Sequence, residues 1–245
     1  MAAMLTASDL LNLWERGLMN HPLQRAIDLL AIAHPELPPE QLKELPIGRR
    51  DEYLLEIREV LFGSRLDCLT TCPTCSERLE IEFDIAQLRT APSISDPTKI
   101  HALVEADCEV EFRLPTTADL LGIASLADAT LARRALFERC VQKARRSGVP
   151  IPATDVPDEL VLVTAARMAE IDPQADIQIA LTCLACSQQW SAAFDIASYL
   201  WIEINAWAIR ILREVHLLAS TYGWRESDIL ALSSMRRQLY LEMIG

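Results

Sequence analysis

The sequence predicts an α-rich α+β fold, with helices at both ends and two small β-hairpins tied together in the middle. Three observations predict it. Apolar residues recur at helical spacing through the first 63 residues and again through the last 50. Stretches of period-two alternation lie between them. Finally, the phrase "LTTCPTCSERLEIEFDIAQL", which begins at Leu69, returns as "LTCLACSQQWSAAFDIASYL" from Leu181. Each copy carries Cys-x-x-Cys and runs on to Phe-Asp-Ile-Ala, with 107 residues between the two cysteine pairs.

The N-terminal elements follow from local signals. Thr6 with Asp9 three residues on resembles a capping box, and Leu10, Leu11 and Trp14 follow at helical spacing. A second helix is predicted over residues 21–33, ended by Pro35 and Pro38. Pro39 suits the first turn of a short third helix. A fourth covers residues 49–62 and stops at Gly63.

In the middle, Leu79, Ile81 and Phe83 alternate with charged residues, which predicts a strand with one wet face. The run Val104, Ala106, Cys108, Val110, Phe112 and Leu114 predicts one long strand over residues 104–114. The stretch "RTAPSISDPTK", residues 89–99, reads as a loop. Helices are expected again over residues 116–146, with Lys143, Arg145 and Arg146 at the negative end. "SGVPIPATDVP" reads as a loop, Pro157 opens a helix to about Ile171, and Ile177, Ile179 and Leu181 form a strand.

At the C-terminal end, Leu200, Ile204, Trp207, Ile211, Val215, Leu218 and Tyr222 mark one helix ending at Gly223. At about 25 residues it would be roughly 38 Å long. A short closing helix is expected over residues 233–243. The organisation is therefore an N-terminal helical region, 1–63, duplicated hairpins with an inserted strand and helices, 64–195, and a C-terminal helical region, 196–245. The three are expected to form one continuous domain.

The two phrases align at a constant offset of 111. Cys72 and Cys75 match Cys183 and Cys186, Leu66 matches Ile177, Cys68 matches Ile179, and Phe83 to Ala86 match Phe194 to Ala197. Both copies thus predict strand, cysteine turn, strand, then a helix start near Asp84 or Asp195. A tetrahedral Zn²⁺ takes four ligands, and Cys-x-x-Cys in a tight turn supplies two thiolates. One such knuckle cannot complete the shell, but two can. The spacing therefore predicts one structural, zinc-ribbon-like Cys₄ site per chain, made of Cys72, Cys75, Cys183 and Cys186. The intervening chain does not forbid it, because loop-closure entropy grows only logarithmically with length.

The competing reading of Cys-x-x-Cys is redox chemistry. A redox pair, however, sits at a helix N-terminus, whereas Cys75 and Cys186 are each followed by a strand pattern. Cys68, four residues before Cys72, is a further ligand candidate by position, but its counterpart Ile179 lies on an apolar strand face, so a small buried hydrophobe is expected. Cys108 and Cys140 are expected in the core.

Composition bounds the function. Apolar residues make up 51% and charged residues 24% of 245 residues, enough for a sizeable core without disulfides. The net charge of −12 repels phosphate backbones on average and disfavours nucleic acid. Residues 1–10 have no basic n-region, so no signal peptide is expected. Glu203, Arg210, Arg213 and Glu214 break the most apolar helix, so no membrane span is expected. A reducing, cytoplasmic setting is the default for the seven cysteines. His21, His34, His101 and His216 form no ligand motif, and no phosphate-binding loop or nucleophile elbow occurs.

Trp201, Ile202, Ala208, Ile209 and Leu212 lie off the main stripe of the long C-terminal helix. That helix is either buried all round or presents a second face to a partner. Trp201, Tyr222 and Trp224 are the candidate interface residues, since such aromatics anchor interfaces. The alternative for Tyr222 and Trp224 is a helix cap packed by two aromatics. Arg236 and Arg237 read as a solvated face.

Several stretches together resemble a baseplate or hub-assembly family of contractile-tailed phages and related contractile injection systems. They are "LPIGRRDEYLLEIREVLFGSRLDCLTTCPTCSERLEIEFD", "EVEFRLPTTADL", "LTCLACSQQWSAAFDIASYLWIEINAWA" and "EVHLLASTYGWRESDILALSSMRRQLYL". The similarity runs over residues 45–241, and Cys72, Cys75, Cys183 and Cys186 match its cysteine pairs. The resemblance implies a non-enzymatic protein that contacts other baseplate or hub subunits. It would be made in the bacterial cytoplasm, to enter the tail-like particle or help build it. A zinc-dependent or Cys-x-x-Cys redox enzyme is the alternative from another class, and a nucleic-acid-binding zinc ribbon is the third.

Overall fold

The computed structural model describes residues 5–90 and 99–244. In chain order the helices and strands are α1 (Ala7–Gly17), α2 (Pro22–Ala33), α3 (Pro39–Lys43), α4 (Ile47–Phe62), β1 (Arg65–Thr71), β2 (Arg78–Asp84), β3 (His101–Glu105), β4 (Cys108–Phe112), α5 (Thr117–Ile123) and α6 (Ala129–Cys140). They continue with β5 (Val141–Arg146), β6 (Val149–Ile151), α7 (Asp158–Ile171), β7 (Gln178–Thr182), β8 (Gln189–Ala193), α8 (Ile196–Tyr222), α9 (Glu226–Leu230) and α10 (Ser234–Glu242). The chain is a mixed α+β protein with small antiparallel sheets. It divides into two compact units, one of residues 1–37 with 196–245, the other of residues 38–195.

The first unit is helical. Thr6 and Asp9 form the capping box that starts α1. The α8 residues Leu200, Ile204, Ala208, Ile211, Val215 and Leu218 are buried at spacings of three and four. The stripe passes through Ala208, with Trp207 half-buried and Tyr222 exposed, a small shift from the face expected. Leu11, Ala208 and Ile211 pack together, with Trp14, Trp207, Leu212 and Leu230 around them. The Trp14 indole N–H donates to Asn205 Oδ1 at 2.9 Å. Gly223, at φ 70°, supplies the left-handed residue after α8, and α9 then forms where the sequence suggests no helix.

The described residues of the second unit hold three antiparallel sheets: β1–β2, the four-stranded β3–β4–β5–β6, and β7–β8. Its core is Cys108, Val110, Phe112, Phe137, Ala144, Val156, Leu160 and Val161. Cys140 is also buried. Thr116 and Asp119 form a capping box at the start of α5, where the buried Asp119 also accepts from Arg113 Nη2 at 2.9 Å and from Arg139 Nε at 3.2 Å. The Gly48 amide donates to Asp172 Oδ2 at 2.9 Å, in a space so tight that a Cβ would lie 1.8 Å from Oδ1.

Three expectations for this region are corrected. The single strand over residues 104–114 is the hairpin β3–β4, with Glu105 paired to Cys108 across a two-residue turn and Ala106 at φ 52°. Leu103 packs on the core while Val104 is exposed. The helix expected to reach Arg146 ends at Cys140, and Lys143, Arg145 and Arg146 lie on β5. There they pair with Glu111, Glu109 and Asp107 at 2.9, 3.7 and 3.0 Å, so two opposing carboxylates of β4 and one from the turn before it, rather than a helix end, complement their charge. The loop over residues 147–157 contains β6, reached through Ser147 and Gly148 with φ 49° and 80°. Positive φ at both central residues is the type I′ arrangement that fits strand twist. The loop expected over residues 89–99 lies largely outside the described residues.

A fourth correction falls in the first unit. Arg237 is buried, not solvated, and its guanidinium donates to Glu214 Oε2 at 3.1 Å and to the Leu232 carbonyl at 2.6 Å. Arg236 is exposed.

Candidate metal centre

Both copies fold alike through their second strand, but after Asp84 the first makes only the short 3-10 turn Ile85–Gln87, where the second enters α8, so the helix expected near Asp84 is corrected. In the first, the Cys72 amide donates to the Glu77 carbonyl at 2.8 Å, and the Ser76 amide to the Cys72 carbonyl at 3.0 Å. In the second, the Cys183 amide donates to Gln188 at 2.8 Å, and the Ser187 amide to Cys183 at 2.9 Å. Ser76 and Ser187 hold left-handed φ of 60° and 59°. Each Cys-x-x-Cys therefore sits in a tight turn between strands, not at the head of a helix.

The two turns face each other. Cys72 Sγ lies 3.7 Å from Cys186 Sγ, and Cys75 Sγ lies 3.6 Å from Cys183 Sγ. All four sulfurs fall within 4.8 Å of one another. Four thiolates about 2.3 Å from a tetrahedral ion stand about 3.8 Å apart, so the cluster has the size of a metal shell. Cys72 and Cys183 are buried while Cys75 and Cys186 are exposed, which makes one side of the site wet.

The four thiols perturb one another's ionisation. The amides of Cys75 and Thr74 donate to Cys72 and hold its thiol down to about 7. The Glu77 amide likewise favours the Cys75 thiolate, but hydrogen bonding with the thiols of Cys186, Cys183 and Cys72 pushes Cys75 up to about 12. Cys186 is also raised: the Gln188 amide and Cys75 oppose that shift, while burial and the Cys72 and Cys183 thiols drive it. Thiols this close share protons because they cannot all carry negative charge. A bound divalent cation removes that limit.

The strands below set the spacing of the turns. Leu66 and Ile177 are buried at matching positions. Phe83 and Phe194, also matching, meet edge-to-face at 5.7 Å and 84°. The buried Gln174 amide donates to the Leu88 carbonyl at 3.2 Å, and its oxygen accepts from the Thr90 amide at 2.8 Å, tying the segment after one hairpin to the segment before the other. Cys68 is half-buried and outside the sulfur cluster. Gln174 was not foreseen, since nothing in the repeat marks it.

The three aromatic candidates lie in the other unit. Trp201 is half-buried, with its ring against Gly17 and the Arg25 guanidinium 4.5 Å over it. Tyr222 stacks on Trp224 at 4.7 Å, and Tyr240 meets Trp224 edge-on at 4.9 Å. Tyr240 is the member of this cluster that the sequence did not single out.

Among the described residues no helix is long and apolar enough to cross a membrane. Comparison with curated proteins found no match. Comparison with solved structures found none either. The family described as T4 bacteriophage base plate protein matches residues 35–201, which span both cysteine pairs and well over half of the 245 residues. The chain therefore belongs to the T4 bacteriophage base plate protein family.

Proposed function

We propose that the protein is a structural or assembly component at the base of a contractile tail or contractile injection system, acting through contacts with other baseplate subunits. Membership of the baseplate family carries this reading. It has no catalytic role in this account, and its one cofactor is a structural Zn²⁺ held by Cys72, Cys75, Cys183 and Cys186. An all-cysteine shell suits zinc, and a closed shell of four protein ligands suits a structural rather than a catalytic ion. Cys-rich shells are otherwise characteristic of iron–sulfur clusters, which would colour the protein. Elemental analysis of protein purified without chelator is expected to give one zinc per chain and no iron.

Docking through the C-terminal segment is part of the same proposal. Ile202 and Ile209 are exposed on α8, and Tyr222 is exposed beside the half-buried Trp224. Trp201, half-buried with its ring against Gly17 and the Arg25 guanidinium over it, is the third aromatic anchor of the proposal. Truncating a strong aromatic anchor costs about 2 kcal/mol or more, or roughly thirtyfold in affinity. Trp224→Ala, checked for folding and zinc, is expected to reduce the yield of assembled particles in the producing cell. Normal yield would remove the Tyr222–Trp224 cluster as a docking site, and normal yield after deletion of the gene would remove the baseplate role itself.

A further inference from the structure

A groove in the second unit is bordered by β7. Ile177, Ile179 and Leu181, which point inward, line it together with Gln178 and Ala180, which point outward. Residues of both faces line it, so the strand meets the groove edge-on. Ile81, Phe83 and Leu88 form the far wall, and no β8 residue takes part.

That edge is open. The bonds Phe194 amide to Ile177 carbonyl and Cys183 amide to Gln188 carbonyl set the phase of the ladder. Ile177, Ile179, Leu181 and Cys183 bond toward β8, leaving the amides and carbonyls of Gln178, Ala180 and Thr182 facing the groove. Among the described residues no backbone group pairs with them.

Exposed edges are ordinarily blunted by charge, proline or cover. The outward residues of β2 are Arg78, Glu80, Glu82 and Asp84, whereas those of β7 are Gln178, Ala180 and Thr182. β7 thus has a bare edge beside apolar side chains, the arrangement that admits an added strand. Residues 38–195 carry ten of the twelve net negative charges, with 26 Asp and Glu against 16 Lys and Arg. Asp176 is the one charged residue among those that line the groove.

We propose that β7 is a strand-addition site, and that its occupant is an extended, basic segment of another protein, with apolar residues alternating toward Ile81, Phe83 and Ile179. This deepens the assembly reading and rests on it, but it concerns a surface separate from the C-terminal aromatics.

The test uses the full-length, metal-loaded chain, labelled with ¹⁵N. The probe is an acetylated, amidated heptapeptide with Lys at each end and Val alternating with Thr between. Amide shifts are expected at residues 178–182 and at Ile81 and Phe83. Ala180→Pro removes an outward donor without touching the bonds to β8, and is expected to weaken binding about tenfold or more. Ala193→Pro, on the far edge of β8, is expected to leave binding unchanged. A probe with its alternate amides N-methylated requires no change to the protein and is expected not to bind. Equal binding of the methylated and unmethylated probes, equal binding by folded Ala180→Pro, or no shifts at β7 would overturn the proposal. In the producing cell, normal particle yield from folded, zinc-loaded Ala180→Pro would overturn strand addition alone, whereas normal yield after gene deletion would overturn the assembly reading beneath it.

Discussion

The two hairpins share a backbone and an inner face but differ on the outside. Leu66 and Ile177, Phe83 and Phe194, and the two cysteine pairs occupy matching places. The outer face of β1–β2 pairs Arg65 with Asp84, Asp67 with Glu82 and Leu69 with Glu80. The outer face of β7–β8 pairs Gln178 with Ala193, Ala180 with Ser191 and Thr182 with Gln189, without a charge. At the turn tips Pro73 stands against Leu184, which is 92% exposed. The inner positions answer to one shared cluster and one shared core, so both copies obey the same constraint. The outer positions answer to solvent in one copy and are left bare in the other.

The largest break of this comparison is at the sulfurs. Metal binding in small zinc domains contributes on the order of 10–16 kcal/mol at neutral pH. Residues 38–195 have a separate core, so metal loss is expected to loosen the hairpins without unfolding the unit. Cys72→Ser and Cys183→Ser should each abolish zinc binding and raise hydrogen exchange in both hairpins alike, whereas Cys68→Ala should keep full zinc. Exchange confined to the mutated hairpin would show two independent turns rather than one site.

Next come the buried strand positions. Leu66→Ala and Ile177→Ala should each cost about 2–5 kcal/mol in denaturant unfolding, as large-to-small core changes do. A cost near zero for one of them would mean that the two inner faces are not equivalent. Smaller again is the contact that joins the copies. A double-mutant cycle on Phe83→Leu and Phe194→Leu should return a coupling of about 0.5–1.5 kcal/mol, the usual worth of an edge-to-face pair. Additive effects would mean that the rings touch without supporting each other.

The smallest effect is a titration. The Ser64 hydroxyl donates to Asp84 at 2.6 Å and, with the Ala86 amide, holds that carboxyl below its usual value. At the repeat offset Ser64 becomes Ala175, which has no hydroxyl to offer. A depressed carboxyl adds stability above its unfolded value of 3.8 and loses it as pH falls through the folded value. Ser64→Ala should move the Asp84 midpoint upward in an NMR titration, shrinking that acid-sensitive contribution. An unmoved midpoint would leave the Ala86 amide as the sole cause.

The sulfur cluster was legible because chemistry and repetition mark the same residues: only the offset of 111 was needed to pair Cys72 with Cys183 and to set Cys68 aside. The helical ends were legible from periodicity and caps. The inserted sheet was not, for a geometric reason. A two-residue turn pairs Glu105 with Cys108, so the inward phase passes from Leu103 to Cys108 and switches from odd to even positions. Alternation read forward from Val104 runs straight through that switch, and Ala106 with Asp107 lacks the glycine that would have flagged it. The strand β5 was hidden by Lys143, Arg145 and Arg146, whose partners lie on another strand and cannot be seen in a local window. Ser147–Gly148 was a turn signal in plain view. Docking surfaces are a different matter: the bare edge of β7 is defined by what fails to pair with it, and sequence carries no mark for that.

The distance along the chain between the two cysteine pairs also sets a clock. A ribosome adds about 5–20 residues per second, so the stretch between the pairs takes about 5–20 s to make. Throughout that interval Cys72 and Cys75 would supply only half of the proposed coordination shell. A chain cut short before Cys183 can never close the other half. Closure of the proposed site would therefore record that translation has run past Cys186, and an incomplete product would stay marked by an open pair of thiols.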